Sequence, residues 1–356
     1  MQFKDIVGQR FVINHLTESI DEGRVPHAQL LVGETTSGAL PVAIAYAQYL
    51  GCKNRRHYDD WNQHDGLRAD SCGECATCKK YQQLVHPDLH LLFPNATTNE
   101  VKGRPSSELM VAAFRDFLNE TRQQGSLDDW LRFSGINDKI SMIREEDAAE
   151  VMRVLGLKSY EGGWKVLIVW MAEKLNPIAA NKLLKALEEP TEQTLFLLVA
   201  QSTDHFLRTV LSRTQQISLP PLPPQLRPAS QRDEEQRMAL WFVTWMRQLF
   251  RLNMSSLSAW VKEMDAAGRE TQRRFLLYAQ DTVRACLMVS EAGVPLDRDF
   301  GDEKFNASFP AMVTRNNVEG LCAAFDETIR AITQNARATI AFMELSFRIS
   351  KLLKRR

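Results

Sequence analysis

The stretch HAQLLVGETTSGALPVAIAYAQYL, residues 27–50, decides the fold class of this chain of 356 residues. It begins with a short apolar run at 28–33 that ends at Gly33, a pattern typical of a buried strand. Residues 38–50 then have the composition of a helix, in which Pro41 is tolerated only in the first turn. A strand, a glycine-bounded loop and a helix in this order predict the start of an α/β domain.

The same alternation continues along the chain. Further strands are predicted at 88–94, 164–170, 194–200 and 214–219, and helices at 9–22, 145–157 and 176–190. Short apolar strands that alternate with helices predict a parallel sheet covered on both faces. The polar region 95–138, with one helical stretch near 107–124, is interpreted as an insertion on the domain surface.

The pattern changes at PPLPPQLRP, residues 220–228, which holds five of the 14 prolines and predicts a semi-rigid linker. Beyond residue 232 no strand pattern remains, and five helical segments predict an all-α C-terminal region. Stripes through Trp241 and Trp245 and through residues 275–286 fit either an internal core or an interface, with the core favoured.

Composition and charge limit the possible functions. The chain carries 44 Lys and Arg against 44 Asp and Glu, so its formal net charge is zero. This excludes a protein that holds nucleic acid by overall positive charge. No apolar run approaches the ~20 residues that span a bilayer, and the start MQFKDIVGQR has no secretory signal pattern. Any role on DNA must therefore depend on a local patch or on partners.

The loop after the first strand has the outline of a phosphate-binding loop without its reactive side chains. Gly33 and Gly38 have the spacing of the G-x-x-x-x-G-K-[ST] motif. Ala39 stands where a lysine would reach the phosphates, and Leu40 where a hydroxyl would bind Mg²⁺. In the strand that should end in an acidic metal ligand, the apolar residues 167–169 are followed by Trp170 and Met171 instead. These losses predict an ATPase-type fold that does not hold a nucleotide.

Four of the six cysteines predict a metal site. Cys72, Cys75 and Cys78 have knuckle spacing, and Cys52 lies at the end of the preceding helix. Four thiolates suit a structural tetrahedral Zn²⁺. Reduced thiols and an iron–sulfur cluster remain alternatives, and His57, His64 and His86 are candidate substitutes for Cys52.

An arginine closes the segment LRTVLSR, residues 207–213. Surface arginines are usually solvated, and this is the favoured interpretation of Arg213 from the segment by itself. The alternative is an arginine finger supplied to the nucleotide of a neighbouring subunit.

Three longer strings then point to a family. They are HPDLHLLFP at 86–94 after the cysteine module, AEKLNPIAANKLLKALEEPTEQTLFLLV at 172–199, and LSRT at 211–214. With FKDIVGQ at 3–9 they give a chain that resembles the delta-prime family of bacterial DNA polymerase III clamp loaders, a group of AAA+ proteins. The resemblance covers essentially residues 1–220.

The resemblance implies a domain organisation and a set of site residues. An AAA+ P-loop-type α/β domain over 1–219 would include a zinc module at 52–78 and the insertion at 95–138, and a linker would follow at 220–232. Residues 233–267 would be a reduced lid region and 268–356 an all-α collar for oligomerisation. Arg213 matches the arginine finger with Ser212 beside it, Thr214 replaces the cysteine of that motif, and the four cysteines match zinc ligands.

The implied function is that of a stator, a subunit that binds no ATP and hydrolyses none itself. It would supply Arg213 to a neighbouring ATPase of gamma or tau type while the complex loads the sliding clamp onto primed DNA. Expected partners are these ATPases, a delta subunit, the clamp weakly or indirectly, and primer-template DNA through the complex, with no membrane. The expected location is cytoplasmic and nucleoid-associated. An ATP-hydrolysing motor is the alternative, and a stand-alone zinc-knuckle nucleic-acid binder is the weaker third hypothesis.

Overall fold

A computed structural model describes residues 1–136, 139–204, 206–223, 226, 229–251, 253–296 and 298–354. The chain divides into two compact units, Met1–Arg227 and Pro228–Arg356. Part of the linker predicted at 220–232 lies outside the described residues.

The first unit contains seven strands and eight α-helices among its described residues. The strands are β1 (Ala28–Val32), β2 (Arg56–His57), β3 (Ala69–Asp70), β4 (Leu89–Leu92), β5 (Lys165–Trp170), β6 (Thr194–Ala200) and β7 (Gln215–Ser218). The helices are α1 (Arg10–Asp21), α2 (Ala39–Gly51), α3 (Ala76–Gln82), α4 (Ser107–Glu120), α5 (Leu127–Phe133), α6 (Glu145–Leu155), α7 (Pro177–Glu188) and α8 (Arg208–Leu211).

Five strands form one parallel sheet in the order β4-β5-β6-β1-β7, and β2 pairs with β3 in a separate antiparallel ribbon. Successive side chains of β1 and β5 enter opposite hydrophobic cores. Leu31 and Ile168 pack in the core that contains α2, whereas Leu30 and Leu167 pack in the core that contains α7. Burial on both faces explains why the strands are apolar at nearly every position. The predicted parallel sheet is confirmed.

The region 95–138 differs from the expected surface insertion. Phe114 of α4 and Trp130 of α5 are completely buried in the main core, and their ring centroids lie 5.1 Å apart. Phe114 also lies 5.3 Å from Trp170 of the central sheet. The interpretation of 95–138 as an insertion on the domain surface was therefore wrong for α4 and α5, whose aromatic residues lie in the core although the region as a whole is polar.

The second unit is all-α, as predicted. Its helices are α9 (Ala229–Arg251), α10 (Met254–Ala266), α11 (Arg269–Ala292), α12 (Glu303–Ser308), α13 (Arg315–Thr333) and α14 (Ala338–Leu353). Trp245 and the stripe Phe275, Ala279, Val283 and Cys286 are buried in one core, which confirms the internal interpretation of these stripes. The region 233–267 contributes to that same core. None of the described helices is long and apolar enough to cross a membrane.

The burial in α4 yields a stability prediction. Phe114→Ala should destabilise the first unit by about 3–5 kcal/mol, because a fully buried ring is replaced by a cavity. Leu109→Ala on the same helix is the control, since Leu109 is 64% exposed and should change stability by less than ~0.5 kcal/mol. Chemical denaturation of the full chain measures both variants. Equal stabilities would contradict the role of this region in the core.

Candidate functional site

The four predicted cysteines form a single cluster. Their sulfur atoms all lie within 4.8 Å of one another, and the Sγ atoms of Cys72 and Cys78 are 3.8 Å apart. Four thiolates around a tetrahedral ion with bonds of about 2.3 Å would be separated by about 3.8 Å. The arrangement is therefore compatible with a metal ion held by four sulfurs, such as zinc.

Local structure brings the four residues together. Cys52 is the C-cap residue of α2, Cys72 follows the ribbon strand β3, and Cys75 is the N-cap residue of α3. The turn after Cys72 requires Gly73, whose φ is +75°. A chain of N–H···S contacts follows, in which the amides of Cys72, Cys75 and Cys78 donate to the sulfurs of Cys52, Cys72 and Cys75 at 3.3–3.4 Å.

The three candidate histidines lie outside this cluster. His57 is 3.7 Å from the carboxylate of Asp21, and His64 stacks on Tyr58 with centroids 3.8 Å apart. His86 is buried, stacks on Tyr81 of α3 and lies 3.3 Å from the carboxylate of Glu161. Among the described residues, then, Cys52 is the fourth member of the group and no histidine replaces it.

The thiols differ in acidity. Burial acts to raise the pKa of Cys72, yet the amide donors of Glu74 and Cys75 and the neighbouring thiols hold it at about 6. Burial raises the pKa of Cys52 and of Cys78. Because metals bind thiolates, an incoming ion must displace protons from at least these two groups, and its affinity should therefore depend on pH.

Asp88 connects the surroundings of the cysteine module to the central sheet, and sequence analysis did not identify it. Its carboxylate, directly before β4, accepts hydrogen bonds from the hydroxyl of Ser159 and the amides of Tyr160 and Glu161 at 2.7–3.0 Å. Glu161 in turn pairs with His86. The only sequence signal for Asp88 was the string His-Pro-Asp at 86–88. The residues that bond to Asp88 lie about 70 residues further along the chain.

The loop between Gly33 and Gly38 is folded on itself. Residues Thr35–Ser37 form a 3₁₀ turn, in which the amide of Ser37 donates to the carbonyl of Glu34 at 2.8 Å. The side chain of Gln9 donates to the carbonyl of Ser37 at 2.9 Å, and that of Gln201 donates to the hydroxyl of Thr35 at 2.7 Å.

The two positions that depart from the phosphate-loop motif are core residues. Ala39 is 6% exposed and Leu40 is 5% exposed. Trp170 and Met171, at the end of β5, are also buried. The side chains at these positions therefore pack in the protein interior, and none of them offers a charge or a metal ligand to a triphosphate.

Arg213 lies in the turn between α8 and β7, at the amino edge of the parallel sheet. Its side chain is 34% exposed, and its Nη2 atom is 2.6 Å from Oε1 of Glu188, the last residue of α7. Its Nη1 atom donates to the carbonyl of Thr209 at 3.0 Å and is 3.4 Å from the hydroxyl of Ser212. The predicted arginine is thus held at the surface by a partner that the sequence did not indicate.

The phosphate loop and Arg213 lie at opposite edges of the same sheet. The loop follows the carboxyl end of β1 at Val32, whereas Arg213 precedes the amino end of β7 at Gln215, and Gln215 pairs with Gln29. At ~3.3 Å per residue, the paired part of β1 alone separates them by about 10 Å. Arg213 therefore cannot complete a phosphate site in this chain's own loop.

These features define a two-unit protein. Its first unit is a parallel α/β fold with a loop of phosphate-loop outline and a four-cysteine module, and its second unit is all-α. The family profile described as "DNA polymerase III, delta subunit" matches residues 8–223. The chain belongs to this family.

Individual relatives agree with this assignment. The DNA polymerase III subunit delta' of Bacillus subtilis is 26% identical over 214 residues, which cover 60% of this chain and 48% of the relative. The delta' subunit of Escherichia coli is 27% identical over 244 residues, 68% of this chain and 53% of the relative. The tau/gamma subunit of Haemophilus influenzae is 26% identical over 217 residues, 61% of this chain and 23% of the relative.

The chain spans about half or less of the length of these curated relatives. A solved structure titled as a DNA polymerase III gamma subunit-related protein from Thermotoga maritima covers 96% of this chain and is itself covered to 99%, with 12% identity and a TM-score of 0.42. That score is too low to establish a common fold.

Proposed function

We propose that this chain is a non-hydrolysing subunit of a DNA polymerase III clamp loader, in which Arg213 completes the ATP site of a neighbouring subunit. Membership of the delta-subunit family and the delta' relatives support a role in that complex. Its partners would be gamma or tau ATPases and a delta subunit. The complex would load the sliding clamp onto primer-template DNA.

The placement of Arg213 is the observation that carries this proposal. The guanidinium is accessible at the amino edge of the sheet. The chain's own loop lies at the carboxyl edge, and the two residues that follow it, Ala39 and Leu40, are buried. An arginine too far from its own loop is suited to a nucleotide held by another subunit. Arginine fingers stabilise the charge that develops on the transferred phosphoryl group.

A second candidate is an ATP-hydrolysing motor. The relatives described as tau/gamma and gamma subunits match at 23–26% identity, close to the 26–28% of the delta' relatives. Sequence similarity alone therefore favours neither role strongly. The buried alanine and leucine in the loop favour the stator, because a motor needs a lysine and a metal-binding hydroxyl there.

The ATPase roles can be separated experimentally. The purified chain should release no phosphate from ATP, whereas a loader reconstituted with its motor and delta subunits should hydrolyse ATP when stimulated by clamp and DNA. Arg213→Ala should abolish turnover by the site next to this chain, since such fingers are worth roughly 10³–10⁵ in rate. Phosphate release from the assembled complex measures the effect.

Arg208→Ala is the matched control, because Arg208 is an exposed arginine of the same segment. It should leave turnover near the wild-type value, and size-exclusion chromatography should recover the assembled complex with either variant. ATP hydrolysis by the purified chain, lost on substitution in the loop 33–40, would instead support the motor. Equal turnover of the Arg213 and Arg208 variants would argue against the finger.

We also propose that the four cysteines hold a structural zinc ion, supported by the close approach of their sulfur atoms. The purified chain should contain one zinc per molecule by elemental mass spectrometry. Cys78→Ser should lose most of the metal and lower the thermal unfolding temperature, because a buried ligand is removed. Cys322→Ser, which changes a cysteine remote in sequence from the module, should retain both. Full zinc content in the Cys78 variant would contradict this ligand set.

A further inference from the structure

We propose that Glu188 is a positioning residue for Arg213 and orients its guanidinium before it meets the neighbour's nucleotide. This inference rests on the proposed function, since it assigns Glu188 a part in the reaction to which Arg213 contributes. Glu188 ends α7, and Arg213 lies in the turn after α8, so the pair joins two elements that are separate in the sequence.

The guanidinium is held from two sides. Glu188 contacts Nη2 at 2.6 Å, while the carbonyl of Thr209 accepts from Nη1 at 3.0 Å. A guanidinium carries five N–H groups in a rigid fork, so donors remain for a phosphate when these contacts are made. Two fixed points on a long side chain define the direction in which the remaining donors face.

The position of Glu188 in its helix argues against a role in helix stability. The last turn of a helix carries partial negative charge, and a carboxylate there is unfavourable. Lys185 in the same turn has the favourable sign. Glu188 is therefore placed where it disfavours its own helix, and Arg213 is the cation that lies within ion-pair distance of it in the described part of the chain. We therefore attribute the carboxylate at this position to its contact with Arg213 and not to helix stability.

The pair is also weak enough to adjust. The side chains of Arg213 and Glu188 are 34% and 48% exposed, and ion pairs of this exposure contribute little to folding stability. Holding an arginine near its working orientation reduces the conformational freedom that must be lost when it contacts a phosphate. An exposed pair can do this without binding the guanidinium so firmly that it cannot reach a neighbour.

Glu189 provides a matched control. It is the C-cap residue of α7, is exposed like Glu188, and forms no ion pair among the described residues. Glu188→Gln and Glu189→Gln both remove one carboxylate charge from the same helix end. Any effect on helix stability or net charge should therefore be shared by the two variants, and the contact with Arg213 is what distinguishes them.

The experiment measures steady-state ATP hydrolysis by the reconstituted loader. Glu188→Gln should lower the Arg213-dependent part of kcat about two- to five-fold and leave the KM for ATP unchanged, because the contact is used in the transition state. That factor corresponds to about 0.4–1 kcal/mol at ~1.4 kcal/mol per tenfold. Glu189→Gln should retain wild-type turnover, and both variants should unfold at the same temperature.

A double-variant cycle tests whether Glu188 acts through Arg213. In the Arg213→Ala background, Glu188→Gln should have no further effect. An additional loss in that background, or unchanged or raised turnover with Glu188→Gln alone, would overturn the inference. If Arg213→Ala itself leaves ATP hydrolysis unchanged, the proposed function fails. The inference fails alone when Arg213→Ala lowers turnover and the two glutamate variants behave alike.

Discussion

The parallel direction of all five strands in the central sheet determines what this chain can do. Parallel strands bring all their carboxyl ends to one edge and all their amino ends to the other. The loop that begins at Gly33 is therefore at one edge, and Arg213, which precedes β7, is at the other. No side-chain rotation brings them together. The sheet therefore keeps the loop and Arg213 apart, as the proposed contact of Arg213 with a neighbouring subunit requires.

The loop between Gly33 and Gly38 is also closed by hydrogen bonds within it and to it. A phosphate-binding loop depends on open backbone amides and a lysine beside them. In this chain, the amide of Ser37 already has a carbonyl partner, and the side chains of Gln9 and Gln201 bond to the loop. Ala39 adds to the hydrophobic core instead of reaching outward. Ala39 and Leu40 thus offer neither a lysine nor a hydroxyl at these positions, and both side chains pack in the hydrophobic core.

Features with local sequence signals could be predicted, whereas those made by distant contacts could not. In strands such as β5, every residue after Lys165 is apolar because both faces are buried, and the cysteines have a spacing that is itself the signal. Phe114 was missed because its apolar stripe lies in a polar segment. Asp88 and Glu188 were missed for another reason. Asp88 bonds to Ser159, 71 residues away, and Glu188 pairs with Arg213, 25 residues away. A single sequence does not show which of its polar and charged residues come into contact.

The zero net charge of the chain limits its long-range attraction to DNA. Coulomb attraction between exposed groups is screened within about 10 Å at 0.1 M salt, so an even balance of charges gives little long-range pull toward DNA. A single arginine acts differently, because its effect on a phosphoryl group is exerted at contact distance and in a site from which water is largely excluded. Under the proposed function, the orientation of Arg213 matters more than the total charge. In the arrangement we propose, Glu188 offsets the charge of that arginine and leaves its remaining N–H groups available to a phosphate.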